Sequence, residues 1–201
     1  MSSSALTTAF FARPAEIVAK ELVGCGLVRF LNGEALGGLV IETEAYLASG
    51  DDASHSVRGK TASNASMFGP PGLSYVYPIH SRFCFNVSTG CLHEGQAVLI
   101  RAIEPILSVE QMRHRRGGCD HRDITRGPSR LCEAMSIDRR LDGVPLWNDK
   151  RIRFVSRPNG FNAEITSTPR IGISKSKDHR LRFIWKGHLG LSGTKRLNTI
   201  S

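Results

Sequence analysis

The chain has 201 residues, a length that fits one domain, and 40% of them are hydrophobic, which is enough for a sizeable core. Lys and Arg number 27 against 18 Asp and Glu, so the formal net charge is +9, which favours a polyanionic partner. No apolar run is long enough to span a bilayer and the N-terminus lacks the features of a signal peptide, so we expect a cytoplasmic protein without membrane association.

The chain is predicted to begin with a helix over residues 14–23, where Pro14 suits the first helical position. A strand over residues 25–31 follows, and Asn32-Gly33 predicts a tight turn into a return strand over residues 36–44. Side chains alternate along a strand. If the strand stays regular, Glu42, Glu44 and Tyr46 project on one face.

Residues 48–72 are rich in Ser, Gly, Asp, Asn and Pro and predict a long loop, which contains His55. Further along the chain we predict strands over 73–77 and 83–88, a strand over 97–103 that ends before Pro105, helices over 105–116 and 127–137, and strands over 151–155, 170–173 and 181–185. The predicted fold is α+β: a single domain over residues 1–201 with a curved, mostly antiparallel sheet, flanking helices and a protruding β-hairpin. Residues 1–9 and about 194–201 are predicted to be loose arms.

Several chemistries are disfavoured by the motifs that the sequence lacks. The cysteines contain no C-x-x-C pair, which argues against a disulfide framework and a common zinc site and suits a reducing cytosol; they are Cys25, Cys84, Cys91, Cys119 and Cys132. There is no G-x-S-x-G nucleophile elbow, no phosphate-binding loop and no zinc deaminase signature. These observations disfavour a metal site.

The positive charge is concentrated towards the C-terminus. Residues 170–201 carry a net charge of +7, from eight Lys or Arg and one Asp. A run of charge is usually a solvated face, but a second cluster at Arg113, Arg115 and Arg116 makes a phosphate-binding surface more plausible.

A carboxylate among flat rings is what an enzyme needs to hold a flat heterocycle and to activate water beside it. By residue type alone Glu42 and Glu44 are equal candidates for the base, and either could be an ordinary edge-strand carboxylate. The rings of Tyr46 and His55 follow closely in the sequence. Arg101 is unusual because it ends an apolar strand and needs a partner or a pocket.

The blocks that carry these residues resemble a known family. They are VIETEAY (residues 40–46), SHS (54–56), GLSYVY (72–77), CFN (84–86), VLIRAIEP (98–105), GPSRLC (127–132) and RIGI (170–173). In this order, over roughly residues 10–185, they make the chain similar to the 3-methyladenine DNA glycosylases of the alkyladenine (N-methylpurine) type.

The resemblance implies a role for each matching position. Glu44 would be the general base that activates water against the sugar of a flipped nucleotide, with Arg101 near that water and the nucleotide's phosphate. The base pocket would be formed by Tyr46 and His55 on one face and Tyr77 on the other, with Asn86 crowding out the exocyclic amine of guanine. The implied enzyme is monofunctional, works as a monomer without cofactor or metal, and acts on double-stranded DNA containing damaged purines.

The hairpin tip departs from the pattern of the family. The residue that wedges into the DNA is usually a Tyr, but here that position is His80, and one residue is missing before Cys84. We expect His80, with Ile79, to make the insertion, and we assign Arg82 and Tyr75 to contact with the DNA strand. Residues 187–193 also depart from the pattern and receive no role.

Two other functions are compatible with the sequence. The chain could be a non-catalytic module that recognises distorted duplex DNA through its basic face and hairpin. It could also hydrolyse free nucleosides, although such an enzyme would not need the basic C-terminal stretch.

Overall fold

A computed structural model describes residues 4–198 of the chain. In chain order its helices and strands are α1 (Thr8–Phe11), α2 (Ala15–Leu22), β1 (Gly26–Leu31), β2 (Glu34–Tyr46), β3 (Ser74–Ile79), β4 (Arg82–Thr89), β5 (Gln96–Leu107), α3 (Val109–Arg115), α4 (Pro128–Ala134), β6 (Ile152–Val155), β7 (Ile165–Thr168), β8 (Arg182–Trp185) and α5 (Lys195–Asn198). Short 3₁₀ turns lie at His55–Arg58, Ala65–Phe68, His121–Asp123 and Arg139–Leu141. The predicted α+β class is confirmed.

The strands form one antiparallel sheet with the order β3-β4-β5-β2-β1-β6. β2 is its central and longest strand. The first half of β2 pairs with β1, residues 42–44 pair with β8, and the opposite edge pairs with β5. Register shifts lie between Val40 and Glu42 and between Glu42 and Thr43. Because a bulge bends a strand and increases its twist, these irregularities curve the sheet at the place where the two carboxylates lie.

The core lies on the side of the sheet that α2 and α4 cover. Helix α2 buries Ala15, Val18, Ala19 and Leu22, which recur at helical spacing, as the sequence predicts. The predicted turn at Asn32-Gly33 joins β1 to β2, with positive φ angles of 51° and 82°. Since the apolar faces of α2 and of the central strands are buried against each other, β2 is held rigidly on one side and carries the site residues at its C-terminal end.

Two strand predictions are wrong. β5 does not end before Pro105 but continues to Leu107, because Pro105 lies opposite Gly38 at a register shift, where a missing backbone donor is tolerated. Residues 170–173 form no strand; β7 lies earlier, at Ile165–Thr168, and pairs with β8. The side chain of Arg170 is instead drawn into a buried ion pair with Asp51.

The hairpin of β3 and β4 projects from the sheet, and its two-residue turn consists of His80 and Ser81. The described parts of the two predicted arms pack on the domain. Ala5 bridges to Val155 and Leu6 belongs to the core, while near the other end Arg182 donates to the backbone oxygen of Leu197. Residues 1–3 and 199–201 lie outside the described part of the chain.

Candidate active site

Two carboxylates from β2 lie in the interior of the domain, and neither has any exposed surface. Glu42 accepts hydrogen bonds from Nε of Arg101 at 2.9 Å and from Nε of Arg182 at 2.6 Å. It also accepts from the backbone N–H and the hydroxyl of Ser192, each at 2.7 Å. Glu42 is therefore fixed between two cations, which suits a structural role.

Within residues 4–198 Glu44 accepts three hydrogen bonds, one fewer than Glu42. Its Oε2 accepts from the Tyr46 hydroxyl at 2.9 Å and from Nη1 of Arg101 at 3.2 Å. Its Oε1 accepts the backbone N–H of Ile171 at 2.8 Å. Since each carboxylate oxygen has two lone pairs, this oxygen has room for a water molecule, as does Oε2 of Glu42. The two carboxylates differ in their cations, because Glu42 contacts two arginines and, among the described residues, Glu44 contacts one.

The electrostatics of the cluster follow from burial and pairing. Burial opposes ionisation of Glu42, but the charges of Arg101 and Arg182 outweigh it and hold the pKa of Glu42 below its usual range. Burial also opposes the charge on Arg101, yet Glu44 and Glu42 together raise the pKa of that guanidinium. Burial and the nearby charge of Glu44 raise the pKa of the Tyr46 hydroxyl well above its usual value. Tyr46 is therefore a stable hydrogen-bond donor to Glu44.

A cleft of about 1030 Å³ opens beside this cluster. Aromatic and imidazole rings form much of its wall: Tyr46, His55, Tyr75 and Tyr77. Cys84, Leu99, Arg101 and residues 171–175 also line it. Glu44 is not part of the wall, but all three of its hydrogen-bond partners, Tyr46, Arg101 and Ile171, are. The carboxylate thus lies directly behind the lining of the cleft.

The rings of the wall contact one another. The centroids of His55 and Tyr77 are 4.7 Å apart with the ring planes at 68°, and Nδ1 of His55 is 2.8 Å from the Tyr75 hydroxyl. A flat base between two parallel rings needs them about 7 Å apart, which is twice a van der Waals contact. His55 and Tyr77 must therefore separate before a base can lie between them. Burial, with a smaller contribution from Arg58, lowers the pKa of His55 and favours its neutral form.

An ion pair supports this wall from behind. Nη1 and Nη2 of Arg170 lie 2.7 Å and 2.5 Å from the two carboxylate oxygens of Asp51, and both side chains are fully buried. The Arg170 guanidinium also stacks over the Tyr46 ring, 4.6 Å from its centroid. Asp51 in turn accepts the backbone N–H groups of Leu47 and Ala53. The pair therefore connects Tyr46, the loop that carries His55 and the segment that begins at Ile171.

Other predicted site residues lie apart from the carboxylates. Asn86 is buried in β4 and donates to the backbone oxygen of Tyr75 at 2.9 Å; it is not on the cleft wall, so a direct contact of Asn86 with a base stays a prediction. His80 and Ile79 are exposed at the hairpin tip, and Ile79 lines the outer cleft. Arg82 is exposed and lies 3.3 Å from Glu133.

The predicted basic C-terminal surface is smaller than its charge indicates, because Arg170 and Arg182 are buried in ion pairs. Lys175 and Arg58 are exposed and line the cleft, together with the buried Arg101. Within residues 4–198 we find no group of three or more His, Cys, Asp or Glu that could hold a metal ion. That range also contains no helix with the length and hydropathy needed to cross a membrane.

The sequence patterns give no site role to four residues that support the site. Ser192, in the glycine-rich segment, and Arg182 hold Glu42. Arg170 and Asp51 form the buried pair behind Tyr46, although Arg170 belongs to the C-terminal charge run of the sequence. The available signal was its position beside Pro169, next to an apolar Ile171 rather than within a charged stretch.

A buried carboxylate directly behind a cleft that four rings line suits a hydrolase whose substrate carries a flat heterocycle. Comparison with known proteins identifies the family: the model of the methylpurine-DNA glycosylase (MPG) family matches residues 9–189, and the chain belongs to this family. The protein is thus a DNA glycosylase, a hydrolase of N-glycosyl bonds that acts in DNA repair. The resemblance seen in the sequence is confirmed.

Curated relatives agree over nearly the whole chain. A protein of Koribacter versatilis is 46% identical over 200 residues, covering 96% of this chain and 95% of its own length. One from Rhodopirellula baltica is 44% identical over 200 residues, covering 97% and 86%. One from Carboxydothermus hydrogenoformans is 42% identical over 180 residues, covering 89% and 94%. All three carry the name "Putative 3-methyladenine DNA glycosylase".

Proposed function

We propose that the protein binds a damaged purine nucleotide extruded from duplex DNA and hydrolyses its N-glycosidic bond, with Glu44 as the general base. Water attacks the sugar C1′, its proton passes to Glu44, and the electron pair of the broken bond leaves with the base. The product is an abasic site in an uncut strand. The observation that carries the proposal is the position of Glu44, whose Oε1 has room for a water molecule and whose three hydrogen-bond partners, Tyr46, Arg101 and Ile171, all line the cleft.

Water must reach that oxygen from the cleft. Ile171 both donates to Oε1 and lines the cleft, so a small displacement of residues 171–175 would connect the two. Nη1 of Arg101 donates to Oε2 and places a positive charge beside Glu44. Since Arg101 also lines the cleft, it lies where it can approach a phosphate of the bound strand.

The substrate class follows from the wall of rings. A purine that enters the cleft would stack on Tyr46, His55 and Tyr77 after the contact between His55 and Tyr77 opens. Cationic lesions such as 3-methyladenine and 7-methylguanine gain cation–π attraction of about 0.5–2 kcal/mol from such rings. Neutral lesions such as hypoxanthine and ethenoadenine gain by stacking alone.

The hairpin supports binding to duplex rather than to free nucleosides. Ile79 is 42% exposed at the tip of the hairpin, where it is available to contact DNA. We propose that Ile79 and His80 fill the space that the extruded nucleotide leaves, since architectural proteins insert apolar side chains between bases in this way.

The test is excision from duplexes that carry hypoxanthine, ethenoadenine or 3-methyladenine, with and without alkali. Strand breaks that appear only after alkali are expected of a monofunctional glycosylase. In Glu44→Gln base release should fall by about 10²–10⁴-fold, the usual contribution of a general base, with DNA affinity retained. The matched control is Glu110→Gln, whose side chain is 82% exposed and lies away from the cleft.

Two results would contradict the proposal. Base release by Glu44→Gln at the rate of the control would exclude Glu44 as the base. Strand cleavage before alkali would exclude simple hydrolysis, because cutting the strand requires chemistry beyond an activated water.

A further inference from the structure

The Tyr46 ring has a different neighbour on each side. The Arg170 guanidinium covers one face at 4.6 Å from the centroid, and the ring also forms part of the cleft wall. A base in the cleft can therefore stack only on the face that Arg170 leaves open. Arg170 has no exposed side-chain surface, so solvent does not screen its charge.

Without a counterion, the buried guanidinium of Arg170 would repel a cationic base that stacks on Tyr46. A base stacked about 3.5 Å from the open face lies roughly 8 Å from the guanidinium. Two unit charges at that distance, in an effective dielectric of about 20, change a binding constant by more than tenfold. The protein places Asp51 on the guanidinium, with contacts at 2.5 Å and 2.7 Å, and so cancels the charge.

We propose that the Asp51–Arg170 pair sets the preference between cationic and neutral lesions, because it keeps the region behind Tyr46 electrically neutral. The inference rests on the proposed function, in which Tyr46 stacks with the extruded base. Neither residue contacts the substrate. Both act through the Tyr46 ring and are positioning residues that also fix the local charge.

Two observations indicate that the charge can be changed while the geometry stays. Without the Asp51 carboxylate, Arg170 still donates to the backbone oxygen of Ala45 at 2.9 Å. Without the Arg170 guanidinium, Asp51 still accepts the backbone N–H groups of Leu47 and Ala53, which favour its ionised form against the burial that opposes it. We therefore expect Asp51→Asn to leave a positive charge behind the ring and Arg170→Gln to leave a negative one.

The experiment measures single-turnover excision of 7-methylguanine, which is cationic, and hypoxanthine, which is neutral, from duplexes of the same sequence. The readout is the ratio of the two rates. Asp51→Asn should lower the cationic-to-neutral ratio by about tenfold, and Arg170→Gln should raise it. The double variant Asp51→Asn/Arg170→Gln carries no net charge and should return the ratio to that of the parent protein.

Arg170→Lys is the matched control, because it keeps the charge while changing the geometry, and its ratio should not move. A purely structural pair would reduce both rates together in every variant, and an unchanged ratio in either single variant would overturn the inference. Each single variant tests the direction of the change in the ratio by itself. If one variant fails to fold, the other still tests the inference.

Glu44→Gln separates this inference from the proposed function. If Glu44→Gln loses release of both lesions while the ratios of the charge variants stay flat, only the inference about Asp51 and Arg170 fails. If Glu44→Gln releases both lesions normally, the proposed function itself fails.

Discussion

Replacing each of the two buried carboxylates of β2 by the isosteric amide should separate stability from catalysis. Glu42→Gln removes the negative charge between Arg101 and Arg182 while preserving the shape of the side chain. Arg101 keeps Glu44 as a counterion. Arg182 keeps only neutral partners in the described part of the chain, among them the Thr168 hydroxyl at 3.0 Å.

The expected loss of stability in Glu42→Gln follows from the missing counterion of Arg182. Removing one partner of a buried ion pair costs about 3–5 kcal/mol, and the neutral acceptors around Arg182 favour the lower end. For a urea dependence of about 2 kcal/mol per molar, the unfolding midpoint of Glu42→Gln should fall by roughly 1.5 M. Glu44→Gln leaves Arg101 paired with Glu42, so its midpoint should fall by less, although it loses far more activity.

The assay is urea unfolding followed by circular dichroism, run in parallel with excision of hypoxanthine from duplex DNA. Glu110→Gln serves as the control for both measurements. The reasoning would be refuted by a Glu42→Gln midpoint within about 0.3 M of the parent protein, or by a greater loss of stability in Glu44→Gln than in Glu42→Gln.

Two further predictions concern the hairpin and the response to acid. His80→Gly removes the ring and tolerates the positive φ of 53° at this position. Excision from duplex DNA should therefore fall by roughly tenfold, while excision from single strands should not fall. Equal loss on both substrates, or the same loss in the exposed control His114→Ala, would show that His80 does not make the insertion. The pKa values of Glu42 and Asp51 are both lowered in the folded state, from reference values of 4.5 and 3.8, so their stabilisation is present above about pH 4.5 and is lost as the pH falls through the folded-state values. Melting temperatures between pH 3 and 7 should drop below pH 4.5, and the drop should be shallower in Glu42→Gln; an identical slope would show that Glu42 does not couple protonation to folding.

Much of the secondary structure could be read from local patterns. Helix α2 and the turn at Asn32-Gly33 follow from apolar spacing and from a dipeptide that tolerates positive φ, and both depend only on neighbouring residues. The continuation of β5 past Pro105 has no local signal, because a strand tolerates a proline only where the opposite strand allows it, here at the register shift beside Gly38. β7 was missed because a four-residue strand draws its stability from pairing with β8 rather than from its own sequence.

Local patterns likewise predict part of the candidate site and leave the rest open. Residue type and order brought Glu44, Tyr46, His55 and Tyr77 to attention, and the period of a strand predicted that Glu44 and Tyr46 share a face, as their 2.9 Å hydrogen bond requires. Tyr46 aside, the difference between Glu42 and Glu44 lies in partners more than one hundred residues away, which no local signal identifies.

The sequence by itself determined the family, the order of the central elements and the chemical types available to the site, because motifs and periodicity are properties of neighbouring residues. Only the tertiary structure decided that Arg182 and Ser192 hold Glu42 while the partners of Glu44 line the cleft, and that Arg170 lies behind Tyr46 with Asp51 rather than on the surface. The physical reason is that burial and charge pairing are set by which distant segments meet, and the energy of a buried charge depends on that meeting more than on its neighbours in the chain.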